Sequence, residues 1–242
     1  MGCEQLRSVE LNEGLKAIGV GNVPENALEG RGVFGGARLE RMRLPDSLRT
    51  LGPYAFAGVA SLREVELGAG LEEVGRSSFA GTGLERVIIP AGVEKISEKA
   101  FEGCVTLRDV CIPLDSRLAV VGSRAFAGSG VRKFKAPEGL RRLGREAFAG
   151  AGELESVRLN AGLRELGTGE AWELRPGRLG VFAGTQVKVI ELFSQLEKLG
   201  RGALAGLQEV SVPDTLQAGW ARFVPEEVQL VVRRSSCDSG CG

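Results

Sequence analysis

The chain has 242 residues, equal numbers of acidic and basic side chains, and no histidine. A balanced charge gives no long-range attraction to nucleic acid, and the absence of histidine removes the commonest general base and metal ligand at neutral pH. No apolar run approaches the roughly 18 residues that a membrane-spanning helix needs. We therefore expect no catalytic residue, no metal or other cofactor, no nucleic-acid partner and no membrane-spanning segment.

The sequence is internally repetitive, with a shared pattern LxxVxLPxxLxxLGxxAFxG. One such unit cannot bury its own apolar edge, so units of this kind are stable only when neighbours stack on one another. Five consecutive intervals are 22 to 24 residues long. The units open at Leu6, Leu39, Leu62, Leu84, Leu107, Val131, Leu154, Val187 and Leu207. The pattern predicts a solenoid of about nine coils.

Each unit predicts a short strand followed by a turn. In the third unit, Val65 and Leu67 alternate with Glu64 and Glu66, which indicates a strand with apolar side chains inward and charged side chains outward. Gly75 is expected to take a positive φ where the chain turns towards the Ala-Phe step.

The phenylalanine of the pattern predicts an internal aromatic column. Seven of the ten phenylalanines recur at this position, and each is followed two residues later by a glycine where the coil is expected to close. Stacking of the units would align Phe34, Phe56, Phe79, Phe101, Phe126, Phe148 and Phe182, with Leu204 in the same place in the next unit.

The repeated signature closely resembles the BspA-like leucine-rich repeats, and Cys104 follows its glycine as in that family. The resemblance covers about residues 2–213 and implies a mainly β leucine-rich-repeat solenoid with short parallel strands. We expect a C-terminal cap at 214–232, with a strand within 228–232, and a cysteine-containing tail at 233–242. The resemblance implies a binding role and no particular chemistry.

Two units carry 11-residue insertions at an equivalent point, within 20–32 and 168–180. Insertions in repeat proteins tend to collect on the binding face, so one interpretation is a pair of partner-facing loops. Trp172 would be the anchor, since aromatic residues are enriched in binding hot spots, with Glu173 and Arg175 beside it. The alternative is a local duplication that leaves two surface loops without a partner.

The outward strand positions form a surface of mixed charge. The second and sixth units are basic there, the first and third are acidic, and Ile88 and Cys111 give an apolar middle. Such a surface can recognise a protein through complementary charges, and the alternative is ordinary solubilising charge. The predicted partner-binding positions are Glu10, Arg43, Glu66, Ile88, Lys135, Arg158 and Glu191.

The first unit begins part-way through the pattern, so we expect its edge to be either truncated or covered by a partner. Five cysteines, no N-glycosylation acceptor and no signal sequence favour a reducing intracellular compartment. The sequence thus predicts a protein-interaction or scaffolding module that binds another protein or a large assembly as a structural subunit. The alternative is a fragment of a cell-surface adhesin whose export signal lies upstream.

Overall fold

The computed structural model describes residues 6–19, 32–113, 115–169, 180–214 and 224–233. Within these ranges the chain forms short strands that pair only in parallel, and it forms no helix. The strands fall into two ladders because each complete coil contributes one strand to each ladder. This is the leucine-rich-repeat solenoid that the sequence predicts. We number the coils in chain order from the unit that opens at Leu6.

The second ladder, formed by the later strand of each coil, is one continuous sheet. Neighbours in this sheet are one coil apart in sequence, and equivalent repeat positions pair, as in Thr50 with Glu73 and Glu73 with Lys95. Its eight strands are β1 (Ala17–Ile18), β3 (Thr50–Leu51), β5 (Glu73–Val74), β7 (Lys95–Ile96), β9 (Val120–Val121), β11 (Arg142–Gly144), β13 (Glu165–Thr168) and β15 (Lys198–Leu199).

The first ladder, formed by the earlier strand of each coil, is divided into three sheets. The breaks coincide with the longest regular interval, 24 residues from Leu107 to Val131, and with the unit that carries the second insertion. The extra residues do not by themselves break the pairing, because β13 and β15 of the second ladder span the same insertion and pair in register. The sheets are β2 (Arg41–Arg43), β4 (Glu64–Glu66), β6 (Arg86–Ile88) and β8 (Asp109–Cys111); β10 (Lys133–Lys135) and β12 (Ser156–Arg158); and β14 (Val189–Glu191), β16 (Glu209–Pro213) and β17 (Gln229–Arg233).

The predicted aromatic column is confirmed and forms the centre of the core. Successive rings from Phe34 to Phe182 lie 4.8 to 6.1 Å apart between centroids, with interplanar angles of 2 to 12°. Leu204, at the same position in the next coil, is fully buried. Each stacked pair adds about 0.5–1.5 kcal/mol beyond the burial of its area, so the column joins coils 1 to 7 to one another.

The positive φ expected at Gly75 is wrong. Gly75 lies so close to the preceding coil that a Cβ atom on it would be 2.0 Å from the carbonyl oxygen of Leu51. The left-handed conformation falls instead on Ser77, with φ 50°, two residues before Phe79. Glycine is therefore needed after the second ladder for close approach of two backbones. The same left-handed position is occupied by Tyr54, Lys99, Arg124 and Glu146 in other coils.

Arg124 shows how a non-glycine residue is held in that conformation. Its guanidinium bridges Glu102 of the preceding coil and the buried Glu146 of the following coil, 3.0 Å away. Burial alone would lower the pKa of Arg124, but the hydrogen bonds and charges of the two glutamates raise it. These contacts offset the roughly 1–2 kcal/mol cost of a left-handed residue with a Cβ atom.

The two ends of the array differ from one another. The strand expected in the first unit is not formed: Leu6 accepts one backbone hydrogen bond from Arg38, at 2.9 Å, and the first ladder begins only at β2. A single bond fixes one point of the segment, whereas a ladder needs repeated pairing. At the other end, β17 pairs with β16 along five residues, which places a strand where one was expected. The division into solenoid, cap and tail stays a prediction.

Candidate protein-binding face

The outward side of the first ladder, which we call the ladder face, is the candidate functional site. In β2, β4, β6, β10 and β14 the middle side chain is buried and its two neighbours are exposed. The alternation follows from the strand geometry, which directs successive side chains to opposite sides. Six of the predicted partner-binding residues are brought onto this one surface: Arg43, Glu66, Ile88, Lys135, Arg158 and Glu191.

Four predicted residues are not placed on the ladder face. Glu10 is exposed, but it lies in the segment before the first ladder begins. Trp172, Glu173 and Arg175 lie outside the described residues, as does most of both insertions. The described strands that precede the insertions, β1 and β13, belong to the second ladder, so the insertions follow a different ladder from the one that forms the face.

Ile88 interrupts the charged pattern of the ladder face with an aliphatic side chain that is 54% exposed. It lines a groove of about 780 Å³ along β4, β6 and the turns that follow them. Leu67 and Pro90 are among the apolar residues of this groove, and Glu66 and Arg86 are among the charged ones. The arrangement is an apolar recess with charged neighbours, which suits an aliphatic side chain of a partner.

The two described cysteines have different surroundings. Cys104 is fully buried, and its thiol donates to the carbonyl oxygen of Phe79 at 3.0 Å. Burial raises the pKa of the Cys104 thiol, so this residue behaves as part of the core. Cys111 is half-buried on the ladder face, where Arg86 donates to its sulfur at 3.4 Å. This contact raises the pKa of Arg86.

Charges on coils 2 and 3 neutralise one another. Arg41 lies 3.3 Å from Glu64, and Arg43 lies 3.7 Å from Glu66, between residues that are paired in register. Exposed ion pairs of this kind contribute about 0–1 kcal/mol each, so they matter less for stability than for the surface potential. The basic second unit and the acidic third unit thus form a single neutral surface.

Charges on coils 6 and 7 are arranged differently. Lys135 pairs in register with Arg158, which sets two exposed cations side by side. Within the described ranges, neither cation has an ion-pair partner, and Glu191 of the next coil is paired with Arg233 instead. Like charges directly opposite each other destabilise a sheet, so this pair is maintained against a local cost.

A second cavity, of about 460 Å³, adjoins the two cations. Besides Lys135 and Arg158, it is lined by the apolar Ala136 and Leu159 and by one carboxylate, Glu138. Sequence reasoning named both cations but missed the cavity residues, and it gave the basic second and sixth units equal weight. The difference between these units could have been found by aligning the outward positions of neighbouring units. That alignment places Arg43 beside a glutamate and Lys135 beside an arginine.

The second ladder provides a contrast, because its charged side chains satisfy one another. Lys95 lies 3.0 Å from Glu73, while Arg142 and Lys198 each lie 2.7 Å from Glu165. Burial alone would raise the pKa of Glu165, but hydrogen bonds from Lys198 and Thr168 and the charge of Arg142 hold it below its usual value. A cavity of about 220 Å³ on this side includes four ion-paired residues in its lining, which are Arg76, Lys95, Glu98 and Arg142.

Neither a metal centre nor a membrane span is found in the described segments. They contain no group of three cysteine, aspartate or glutamate side chains that could hold a metal ion. They also contain no helix of the length and apolarity needed to cross a bilayer.

Comparison with known families identifies the repeat. Residues 30–155 and 110–170, together more than half of the chain, match the model of the BspA type Leucine rich repeat region in six copies. The chain belongs to this family. Cys104 of the BspA-type signature is thus the buried core residue described above, and the outward positions of the BspA-type strands form the ladder face.

Solved structures support the same fold for this BspA-type array. A leucine-rich repeat protein from Bacteroides ovatus ATCC 8483 is similar with a TM-score of 0.56 and 20% identity, covering 96% of this chain and 73% of that one. A leucine-rich repeat protein from T. pallidum is similar with a TM-score of 0.52 and 23% identity, covering 81% of this chain and 89% of that one. Among curated proteins, none matches the sequence significantly.

Proposed function

We propose that this chain is a protein-interaction module that binds its partner through the ladder face and performs no catalysis. The observation that carries the proposal is Ile88, an exposed aliphatic residue in a groove of about 780 Å³ that also has charged residues in its lining. An exposed apolar patch with charged neighbours is typical of a protein interface, in which a few central side chains provide most of the binding energy.

The size of the ladder face supports a macromolecular partner. Strands lie about 4.8 Å apart, so nine first-ladder positions from β2 to β17 give a length on the order of 40 Å. A standard protein interface buries about 800 Å² on each partner, which a surface of this length can supply. The side chains on it recur at equivalent positions in successive coils and do not converge on one reactive centre. We accordingly assign the module a scaffolding role within a larger assembly.

The test is an affinity purification from a native extract with a matched pair of variants. Ile88→Asp places a charge in the groove, whereas Val105→Asp makes the same change at a 72% exposed aliphatic residue outside the first ladder. We expect Ile88→Asp to reduce the captured partner by about ten-fold or more, as for loss of a hot-spot residue. Val105→Asp should capture as much as the wild type, and both variants should keep the wild-type melting temperature. Equal capture by both variants would show that the ladder face is not the binding surface.

A further inference from the structure

We infer that the ladder face binds an extended acidic protein segment, with an apolar side chain of that segment in the groove at Ile88 and its carboxylates on Lys135 and Arg158. This inference rests on the proposed function and specifies the chemistry of the partner. It joins two observations: an apolar recess on coils 3 and 4, and a like-charged cation pair beside a second cavity on coils 6 and 7.

The cation pair is a part of the ladder face at which no ion pair among the described residues compensates the charge. Arg41 and Arg43 are equally exposed but face glutamates within 3.7 Å, so they offer little net charge to a partner. Lys135 and Arg158 face each other, and a carboxylate placed between them would interact favourably with both. Binding an anion there would also relieve the repulsion between the two cations.

The acidic side chains near the pair do not neutralise it. Glu191 is held by Arg233, and Glu138 lines the same cavity without forming an ion pair with either cation in the described structure. Lys133, in the same strand as Lys135, adds a third exposed cation. The local excess of positive charge therefore extends across coils 6 and 7.

The distance between the groove at Ile88 and the cation pair determines how many residues separate the apolar side chain of the bound segment from its carboxylates. Ile88 in β6 and Lys135 in β10 are two coils apart, which is at least about 10 Å, because β8 and β10 belong to different sheets and are not held at the usual strand spacing. An extended chain advances about 3.3 Å per residue, so at least about three residues separate the apolar side chain from the first carboxylate. A second carboxylate one or two residues further on would reach Arg158.

The partner is a protein segment and not a nucleic acid or an acidic polysaccharide. Polyanions are bound mainly through extended basic surfaces, whereas here the basic area spans two coils and the chain as a whole is neutral. The adjoining recess contains Ile88, Leu67 and Pro90, which have no role in binding a hydrophilic polyanion. An extended peptide carries an aliphatic side chain and carboxylates at this spacing, which matches both features.

The experiment selects ligands from phage-displayed random linear peptides of 12 residues on the immobilised full chain. The expected result is enrichment of peptides with at least two acidic residues about three to five positions from a leucine, isoleucine, valine or methionine. The most enriched peptide, labelled with fluorescein, is then titrated by anisotropy beside its Glu→Gln or Asp→Asn version. Binding should weaken with added salt, because the contacts with Lys135 and Arg158 are exposed to solvent.

Two double variants that remove the same charge make the test specific. We expect Lys135→Gln with Arg158→Gln to weaken peptide binding about ten-fold. Lys16→Gln with Arg201→Gln removes two exposed cations outside the first ladder and should change binding less than about two-fold. The first variant should melt at the wild-type temperature or slightly above, because it removes a like-charged pair. Loss of binding in a protein that is no less stable identifies a ligand contact and excludes a structural role.

Several outcomes would overturn the inference. These are no enrichment of peptides, enrichment of basic or uncharged peptides, equal binding by both double variants, or preference for a single-stranded oligonucleotide or heparin over the acidic peptides. The proposed function has a separate outcome, since it fails only if Ile88→Asp leaves protein capture unchanged. Protein capture that depends on Ile88 together with non-acidic selected peptides would thus refute the acidic segment alone.

Discussion

The two ladders are built from the same coils, yet they differ in regularity. The second ladder runs unbroken through eight strands, including both coils that carry insertions, and its exposed charges are largely paired between neighbours. The first ladder is divided into three sheets and presents an exposed isoleucine and a basic cluster that has no ion-pair partner among the described residues. The comparison indicates that the second ladder and the aromatic column hold the array together, which leaves the first ladder free to carry specific side chains.

The largest effect is expected in the column beside the second ladder. Phe101→Ala removes a fully buried ring from the middle of the stack and should lower the free energy of unfolding by about 3–5 kcal/mol. Phe193→Ala is the matched control, because Phe193 is half-buried and outside the column. The free energy of unfolding of this variant should fall by only about 1 kcal/mol. Urea unfolding measures both, and equal losses would show that the column is not the main support.

A smaller loss of stability is expected at Gly75, which follows the second ladder and lies against the backbone of the preceding coil. The Cβ atom of Gly75→Ala would collide with the Leu51 carbonyl oxygen, and a forced shift of the backbone costs on the order of 3 kcal/mol. Gly152→Ala, in the turn before the first ladder, meets no atom within 4 Å and should change stability by less than about 0.5 kcal/mol. Thermal melting of the two alanine variants compares these sites directly. A melting temperature for Gly75→Ala equal to that of Gly152→Ala would contradict the close packing.

The paired charges of the second ladder predict a dependence of stability on pH. Because the folded pKa of Glu165 is below its unfolded value, its contribution is present above about pH 4.3 and is lost as the pH falls through the folded pKa. Solvent screening limits it to about 1 kcal/mol at most. The difference in melting temperature between wild type and Glu165→Gln should therefore shrink between about pH 6 and pH 3. Glu64→Gln, which removes one carboxylate from the first ladder, is the control, and a constant difference for Glu165→Gln would refute the prediction.

The smallest change in stability is expected when the sign of one charge in a cross-strand pair on the ladder face is reversed. Lys135→Glu would face Arg158 with an opposite charge and should raise the free energy of unfolding by about 0.5 kcal/mol. Arg43→Glu would face Glu66 with a like charge and should lower it by a similar amount. Both are measured by urea unfolding at low salt. Changes of the same sign would mean that cross-strand charge has no part in the difference between the two regions.

The sequence predicts the fold well because the same inward positions recur in every unit. Val65, Leu67 and Phe79 each have equivalents in neighbouring coils, so the buried pattern and the aromatic column are specified many times over. The turn chemistry is less visible, since a glycine can serve either a positive φ or a close approach. The positive φ expected at Gly75 falls on Ser77, and only the backbone of the adjacent coil shows that Gly75 is needed for close approach.

The candidate site is predicted only in part. Strand alternation is enough to place Ile88 and Lys135 on one surface, because outward positions follow from the period of two. Whether a charge is available to a partner depends on the residue across the ladder and on competition among its neighbours. The diversion of Glu191 to Arg233, 42 positions later in the chain, has no local signal in the sequence. The breaks in the first ladder likewise have no local signal, because the second ladder pairs in register across the same insertion.

The stacking of the coils also determines how the molecule would respond to mechanical tension. When force is applied to the two termini, the load falls on the contacts between a terminal coil and its neighbour. The coils therefore separate one after another and do not all shear apart at once. Each regular coil that detaches would release a contour length of about 75 Å, from 22 to 24 residues at roughly 3.3 Å each. A solenoid of this kind would unfold under tension in many small steps, one coil at a time. The remaining coils stay folded, so the rest of the ladder face stays intact.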